Sequence, residues 1–307
     1  LRERTGEAVS DEDLRTRFKN LSEEIEQLGE AALEAVVNRV CGRIEPGDEA
    51  DQRRIGGLVP DLGFDLQPCE AGWYLPLRPL ILGGDDLTFV CDGRLALDLA
   101  VTVLEVFEGF ESAELGALHG CAGIALVHTH FPFARAYDWA ETLCGSAKGH
   151  LLATRCEGSA LDWHIGSPLP NQSLETLRER EYRNTEGKRL TLRPYRLGTD
   201  PQEAEGWRFL SQELLDGAAG FRRKRWERHR NKVQELAKLV REGPDAVEVS
   251  LQAWRVAAPH LEFPKPLTDR GFDGDSTPLL DAVELIDLHL PLEAPPKPTA
   301  DPQEVTS

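Results

Sequence analysis

The chain has no methionine among its 307 residues, not even at its start, and only 35 lysines and arginines against 53 aspartates and glutamates. The net charge of −18 argues against a protein that grips nucleic acid over a broad surface, because such binding draws on clustered basic side chains. No apolar run approaches membrane-spanning length, and no signal peptide is visible. The cysteines, at 41, 69, 91, 121, 144 and 156, lack the paired spacing of a zinc site. Several fall inside apolar segments, which predicts reduced, packed thiols in a cytoplasmic protein. With 40% hydrophobic residues the chain can bury a good core, as one large domain or two.

What the sequence does have is concentrated at 80–91. Residues 80–82 and 87–91 are apolar runs that predict short buried strands, and between them stand Gly83, Gly84, Asp85 and Asp86. The glycines permit positive φ and close approach of the backbone to a phosphate. Adjacent carboxylates at a hairpin tip suit a hard dication, which takes oxygen ligands and keeps water and substrate phosphate in its other positions. A Gly-Asp pair between apolar strands is also a good turn in its own right. The order downstream adds to it. Leu95, Leu99, Val103, Val106 and Phe110 predict a helix over 94–110, and 118–127 predicts a buried strand. A second helix starts near Phe133, after Pro132, and runs to Lys148; 160–165 predicts another strand. This order predicts an α+β fold, the latter part of a ferredoxin-like palm, with an antiparallel sheet and helices on one face.

Three blocks in sequence carry a family resemblance: Leu82-Gly83-Gly84-Asp85-Asp86; then Cys121-Ala122-Gly123-Ile124-Ala125-Leu126-Val127 with His130-Phe131-Pro132-Phe133; then Ser146-Ala147-Lys148 with Asp162-Trp163-His164. Together they resemble the palm (GGDD) polymerase/cyclase large subunit of type III CRISPR systems and its stand-alone relatives, over roughly 78–166. The resemblance implies a nucleotidyltransferase that joins ATP, or another nucleoside triphosphate, into a cyclic oligoadenylate or cyclic dinucleotide messenger in antiviral defence. It implies Asp85 and Asp86 as catalytic ligands of Mg2+ or Mn2+, and Gly83 and Gly84 as the backbone that approaches the nucleotide. Lys148 is either a phosphate contact or an ordinary solvated lysine near a helix C-terminus. A CRISPR RNA–protein complex or an effector protein is the implied partner. The alternative is an inactive palm scaffold that binds nucleotide, RNA or partner subunits. A diguanylate-cyclase-like enzyme is disfavoured, since a second aspartate replaces that family's glutamate and aromatic residue.

The resemblance also implies a first strand with a further carboxylate, followed by two helices. The 55–66 segment holds Asp61 and Asp65 but lies too close to Leu80 for two helices to intervene. Taken with the missing initiator methionine, this predicts a first palm strand upstream of Leu1.

The remaining organisation reads as a palm domain over 1–167, a helical accessory or thumb-like region over 168–290, and a disordered, proline-rich tail over 291–307. In the first, Leu14, Phe18, Leu21, Ile25 and Leu28 form a helical stripe expected to pack on the protein's own sheet; Ser10 is placed to cap it, with Asp13 as carboxylate partner. Residues 42–72 read as a loop or partly ordered insertion. In the second, helices are expected over 174–182, 207–215, 221–241, 245–257 and 277–290. Arg222 to Lys232 carries seven lysines and arginines around Trp226. This run reads as an RNA or phosphate contact or, preferably, as a solvated helix face with Trp226 in the core. His128 and His130 lie two apart at a strand end, where a turn role is preferred to a metal site, and Asp162 and His164 share a strand face in a structural role.

Overall fold

Ser10 caps the first helix. Its Oγ accepts from the Asp13 amide at 3.2 Å and donates to the Asp13 carboxylate at 2.7 Å, while Asp11, Glu12 and Asp13 sit at the positive end of the helix dipole. The computed structural model describes residues 10–49, 51–83, 86–166, 172–198, 200–201 and 203–292; the expected 1–9 helix start and nearly all of the expected tail lie outside them. Helix α1 (Asp11–Cys41) buries its stripe only from Leu28 onward, through Ala32, Val36 and Val40. Phe18 is 58% exposed, so the first half of the stripe is not packed on a sheet.

The 42–72 segment forms strands instead of a loop. Strands β1 (Ile44–Pro46), β2 (Arg53–Ile55) and β3 (Phe64–Asp65) make an antiparallel sheet in that order, and β4 (Pro68–Cys69) pairs with β5 (Gly72–Trp73). Ile55 joins Val36, Val40 and Leu99 in a buried cluster that anchors this sheet to the helices. Strands of two or three residues are too short for a two-residue alternation to show in sequence.

Next come the hairpin of β6 (Leu77–Gly83) and β7 (Asp86–Cys91), helix α2 (Ala96–Glu108), and the small pair β8 (Glu111–Ser112) and β9 (Gly116–Ala117). Arg39 of α1 clasps Asp98 of α2 with bonds of 2.6 and 3.0 Å, and Asp98 also accepts from the Leu292 amide at 3.3 Å. Strand β10 (Cys121–Leu126), helix α3 (Phe133–Thr154) and strand β11 (Ala160–Ile165) complete the part that resembles a palm. The expected sheet needs one correction. Strands β10 and β11 are parallel, because the 22-residue α3 carries the chain back to the end from which it set out. The β6–β7 hairpin is a separate two-stranded sheet. The protein is thus a mixed α/β fold with small antiparallel sheets. No helix among the described residues is long and apolar enough to cross a membrane.

Helix α3 meets β10 most closely at Gly123, where an added Cβ would stand 2.0 Å from the Ala140 carbonyl oxygen and 2.3 Å from the Cys144 nitrogen. Both obstacles are backbone, with no flexible side chain to yield. Gly123→Ala is therefore expected to cost about 3 kcal/mol. The measurement is a lowered midpoint of chemical denaturation with unchanged slope.

Beyond 166 the chain adds α4 (Leu174–Glu181), capped by Ser173, and β12 (Tyr195–Arg196), antiparallel to β11. A π-helical segment, Phe209–Leu215, precedes α5 (Arg230–Glu242), α6 (Pro244–Ala257) and α7 (Leu279–Leu285). One core runs across both regions: Leu104, Trp139, Leu161 and Trp163 belong to the same cluster as Tyr195, Leu214, Trp226, Leu251 and Ile286. The helix expected over 221–241 starts only at Arg230, because the residues before it are drawn into contacts of their own. The buried Arg222 donates to the carbonyls of Leu285, Ile286 and His289 at 2.9, 3.1 and 2.7 Å and so satisfies the open end of α7. Trp226 is buried and donates to the Glu262 carbonyl at 3.1 Å. Arg223 bonds the Asp216 carbonyl, Arg225 pairs with Glu262, Arg230 with Asp287, and Lys232 lies over Trp254. Of the seven basic residues, Lys224 and Arg228 are left with no such partner among the described residues.

Candidate functional site

Strand β6, expected to be buried, is instead exposed at Leu80, Ile81 and Leu82 toward the end of the β6–β7 hairpin. Its register slips between Pro79 and Ile81, a bulge at the point where proline has no amide to donate. Beyond the bulge, Ile81 faces Thr88, Leu82 faces Leu87, and Gly83 faces Asp86. That last pairing leaves only Gly84 and Asp85 between the strands, and these two lie outside the described residues. Phe89 and Cys91 turn inward against the cluster of Val36 and Leu99. By alternation, Asp86, Thr88 and Val90 share the opposite face. Asp86 is exposed, and a Cβ on Gly83 would meet nothing within 4 Å, so its backbone is open to approach.

Asp86 also acts electrostatically on residues of helix α3. Tyr137, Glu141, Cys144 and Lys148 follow one another at spacings of four, three and four, the period of one helical face. Negative charge gathers there. The Tyr137 phenol is pushed up by the Glu141 carboxylate first, then by burial, Asp86 and Asp138. Burial pushes the Cys144 thiol up to about 11, with Cys121, Glu141 and Asp86 adding to it and Lys148 opposing. The Asp86 carboxylate thus acts on both residues. Lys148 is exposed and makes no ion pair among the described residues. Nothing in the sequence marks Tyr137 and Glu141, since the helical period of α3 shows only its buried side, Trp139 and Leu143.

The third block is tied together from outside. Arg178 of α4 donates to Ser146 Oγ at 3.1 Å and to both oxygens of the fully buried Asp162 at 2.5 and 2.7 Å. It thereby fixes the C-terminal half of α3, with Lys148, against β11. His164 packs edge-on against Trp139 and Tyr182, with ring centres 5.7 and 6.5 Å apart. His128 and His130 stand exposed in the turn that follows β10.

Neither a family model nor a curated protein matches this chain. The donor chemistry at the turn, open carboxylate oxygen, fits magnesium or manganese that keeps part of its water. Among the described residues no group of three or more His, Cys, Asp and Glu is arranged to hold a metal ion by itself.

Proposed function

We propose that this protein is a metal-dependent nucleotidyltransferase with a palm-type site, joining ATP into a cyclic oligoadenylate or cyclic dinucleotide messenger in antiviral defence. The observation that supports the reading is the Gly83–Asp86 pairing at the exposed end of the β6–β7 hairpin, which brings the two ends of the GGDD block together. In this reading Asp85 and Asp86 hold Mg2+ or Mn2+, which when bound neutralises charge on the reacting phosphates. Gly83 and Gly84 let the triphosphate approach the backbone. Lys148, without an acidic partner, offers a point charge to a phosphate. The carboxylates of Asp138 and Glu141 disfavour the triphosphate at the N-terminal half of α3, so that Lys148, farther along the same helix, is the end that can meet a phosphate. A ribose hydroxyl of a second nucleotide then attacks the α-phosphate, and pyrophosphate leaves. Positioning and electrostatics supply most of the acceleration.

The test is incubation of the protein with labelled ATP and magnesium or manganese, with products resolved by mass. Replacing both Asp85 and Asp86 by alanine is expected to lower product formation by about 1,000-fold or more, with the melting temperature unchanged. Messenger synthesis that survives the double substitution sinks the assignment. Saturable nucleotide binding without any product favours the scaffold.

A further inference from the structure

At the other end of the hairpin lies an open cleft of about 480 Å³, bounded by β3, the 66–76 connection and the outer ends of β6 and β7. Its floor is flat. Arg94 lies over the ring of Phe64 with its guanidinium carbon 3.8 Å from the ring centre, and Asp92 answers its charge with two bonds of 2.8 Å. On the rim, Tyr74 is 65% exposed, while its main chain is pinned by an amide bond of 2.8 Å to the Gln67 carbonyl. Arg78 is exposed and has no acidic partner among the described residues, although the chain carries a net charge of −18. Asp65 and Gln67 add a carboxylate and an amide to the same lining.

Two planar faces, one uncompensated guanidinium and two groups able to read an edge define a narrow class of ligand. We propose that this cleft binds a single nucleotide, with the base stacked on Tyr74 over the Arg94–Phe64 platform and the phosphate held by Arg78. Asp65 and Gln67 accept from the amino group at the base edge. Stacking on an aromatic ring tolerates any base, while the arginine fork suits phosphate. Val90 lines the cleft and lies on the same face of β7 as Asp86, four residues away, about 13 Å along the strand. A nucleoside triphosphate seated by its base in the cleft therefore extends along β7 toward the GGDD turn. This extension rests on the function proposed above; binding of the base and one phosphate does not.

The experiment is calorimetric titration of adenosine 5′-monophosphate into the protein in the presence of a chelator, with adenosine and ribose 5-phosphate titrated separately. Saturable binding of the monophosphate is expected. Tyr74→Ala is expected to weaken adenosine and the monophosphate by about tenfold, with Tyr74→Phe restoring both. Arg78→Ala is expected to weaken the monophosphate and ribose 5-phosphate but not adenosine, and Arg78→Lys to recover only part. Val256→Ala, on the exposed face of α6, leaves all three unchanged. Absence of saturable monophosphate binding at millimolar concentration, or binding that ignores both the Tyr74 and Arg78 substitutions, overturns the proposal; the variants' melting curves show that they remain folded. Messenger synthesis is read in a separate assay with metal, so a failed turn leaves the cleft's result standing.

Discussion

Arg193→Ala is expected to lower the melting temperature by about 10 °C. The guanidinium is 3% exposed as a residue and every edge of it is used. Its Nε stands 2.7 Å from Asp281 Oδ1, one Nη is 2.6 Å from Glu284, and the other donates to the Trp163 carbonyl at 3.0 Å. Its carbon lies 4.9 Å from the Trp163 ring and 4.8 Å from the Tyr182 ring. Burial opposes the charge, and Glu284 and Asp281 more than restore it. Removing one member of such a set strands the others, at a cost of about 3–5 kcal/mol, against a total stability of roughly 5–15 kcal/mol for a domain. Arg193→Lys should rescue little, since one ammonium cannot reach two carboxylates and a carbonyl together. The paired change Arg193→Met with Asp281→Asn should recover part of the loss, because Tyr195 and the Leu192 amide still bond position 281, at 2.7 and 2.8 Å in the native protein. Circular dichroism against temperature measures all three, and a melting temperature unmoved by Arg193→Ala contradicts the account.

Acid is expected to destabilise the fold as pH falls below 6.5, through two buried histidines. Burial, helped by Arg193 and Arg178, pushes the His164 imidazole from 6.5 down to about 4. Burial, helped by Arg222 and Arg39, pushes His289 down to about 3, and its Nδ1 has no hydrogen-bond partner among the described residues. The unfolded chain takes up protons at these positions near pH 6.5, whereas the folded chain resists them. Stability is therefore fully present above pH 6.5 and lost as pH falls, by about 2 kcal/mol for each histidine at pH 5. Asp281 acts in the opposite sense. Burial holds its carboxyl up at about 6, against Arg193 and its hydrogen bonds, so the folded state gains a proton earlier than the unfolded one. This offsets about 1 kcal/mol over the same interval. The net result is a falling denaturation midpoint between pH 7 and pH 5. His289→Phe, which keeps the packing on Trp207, should remove about two-thirds of the slope; an unchanged slope would mean that His289 titrates normally.

The parts of this fold that could be read from sequence are those with a strong period or a sharp stop. Residues 160–165 were expected as a strand and form β11, because six consecutive residues there are apolar or satisfied within the core. Ser10 was expected to cap α1 and does, since a cap needs only three residues to declare itself. The 42–72 strands did not show, and neither did the parallel pairing of β10 with β11, which depends on where α3 returns and not on any residue in the strands. The candidate site divides the same way. The β6–β7 hairpin was legible from its two apolar runs, whereas the clasp by Arg178 was not, because a charged residue that ends up bonded to a buried partner looks in sequence like any other on a helix surface.

The continuous core and the Asp98–Leu292 bond bear on how this protein can have been assembled by evolution. A recombination that moved 1–167 into another gene would carry the GGDD hairpin but leave Trp163 without Tyr195 and Asp98 without its distant amide. The two parts are therefore expected to travel through genomes as one inherited unit.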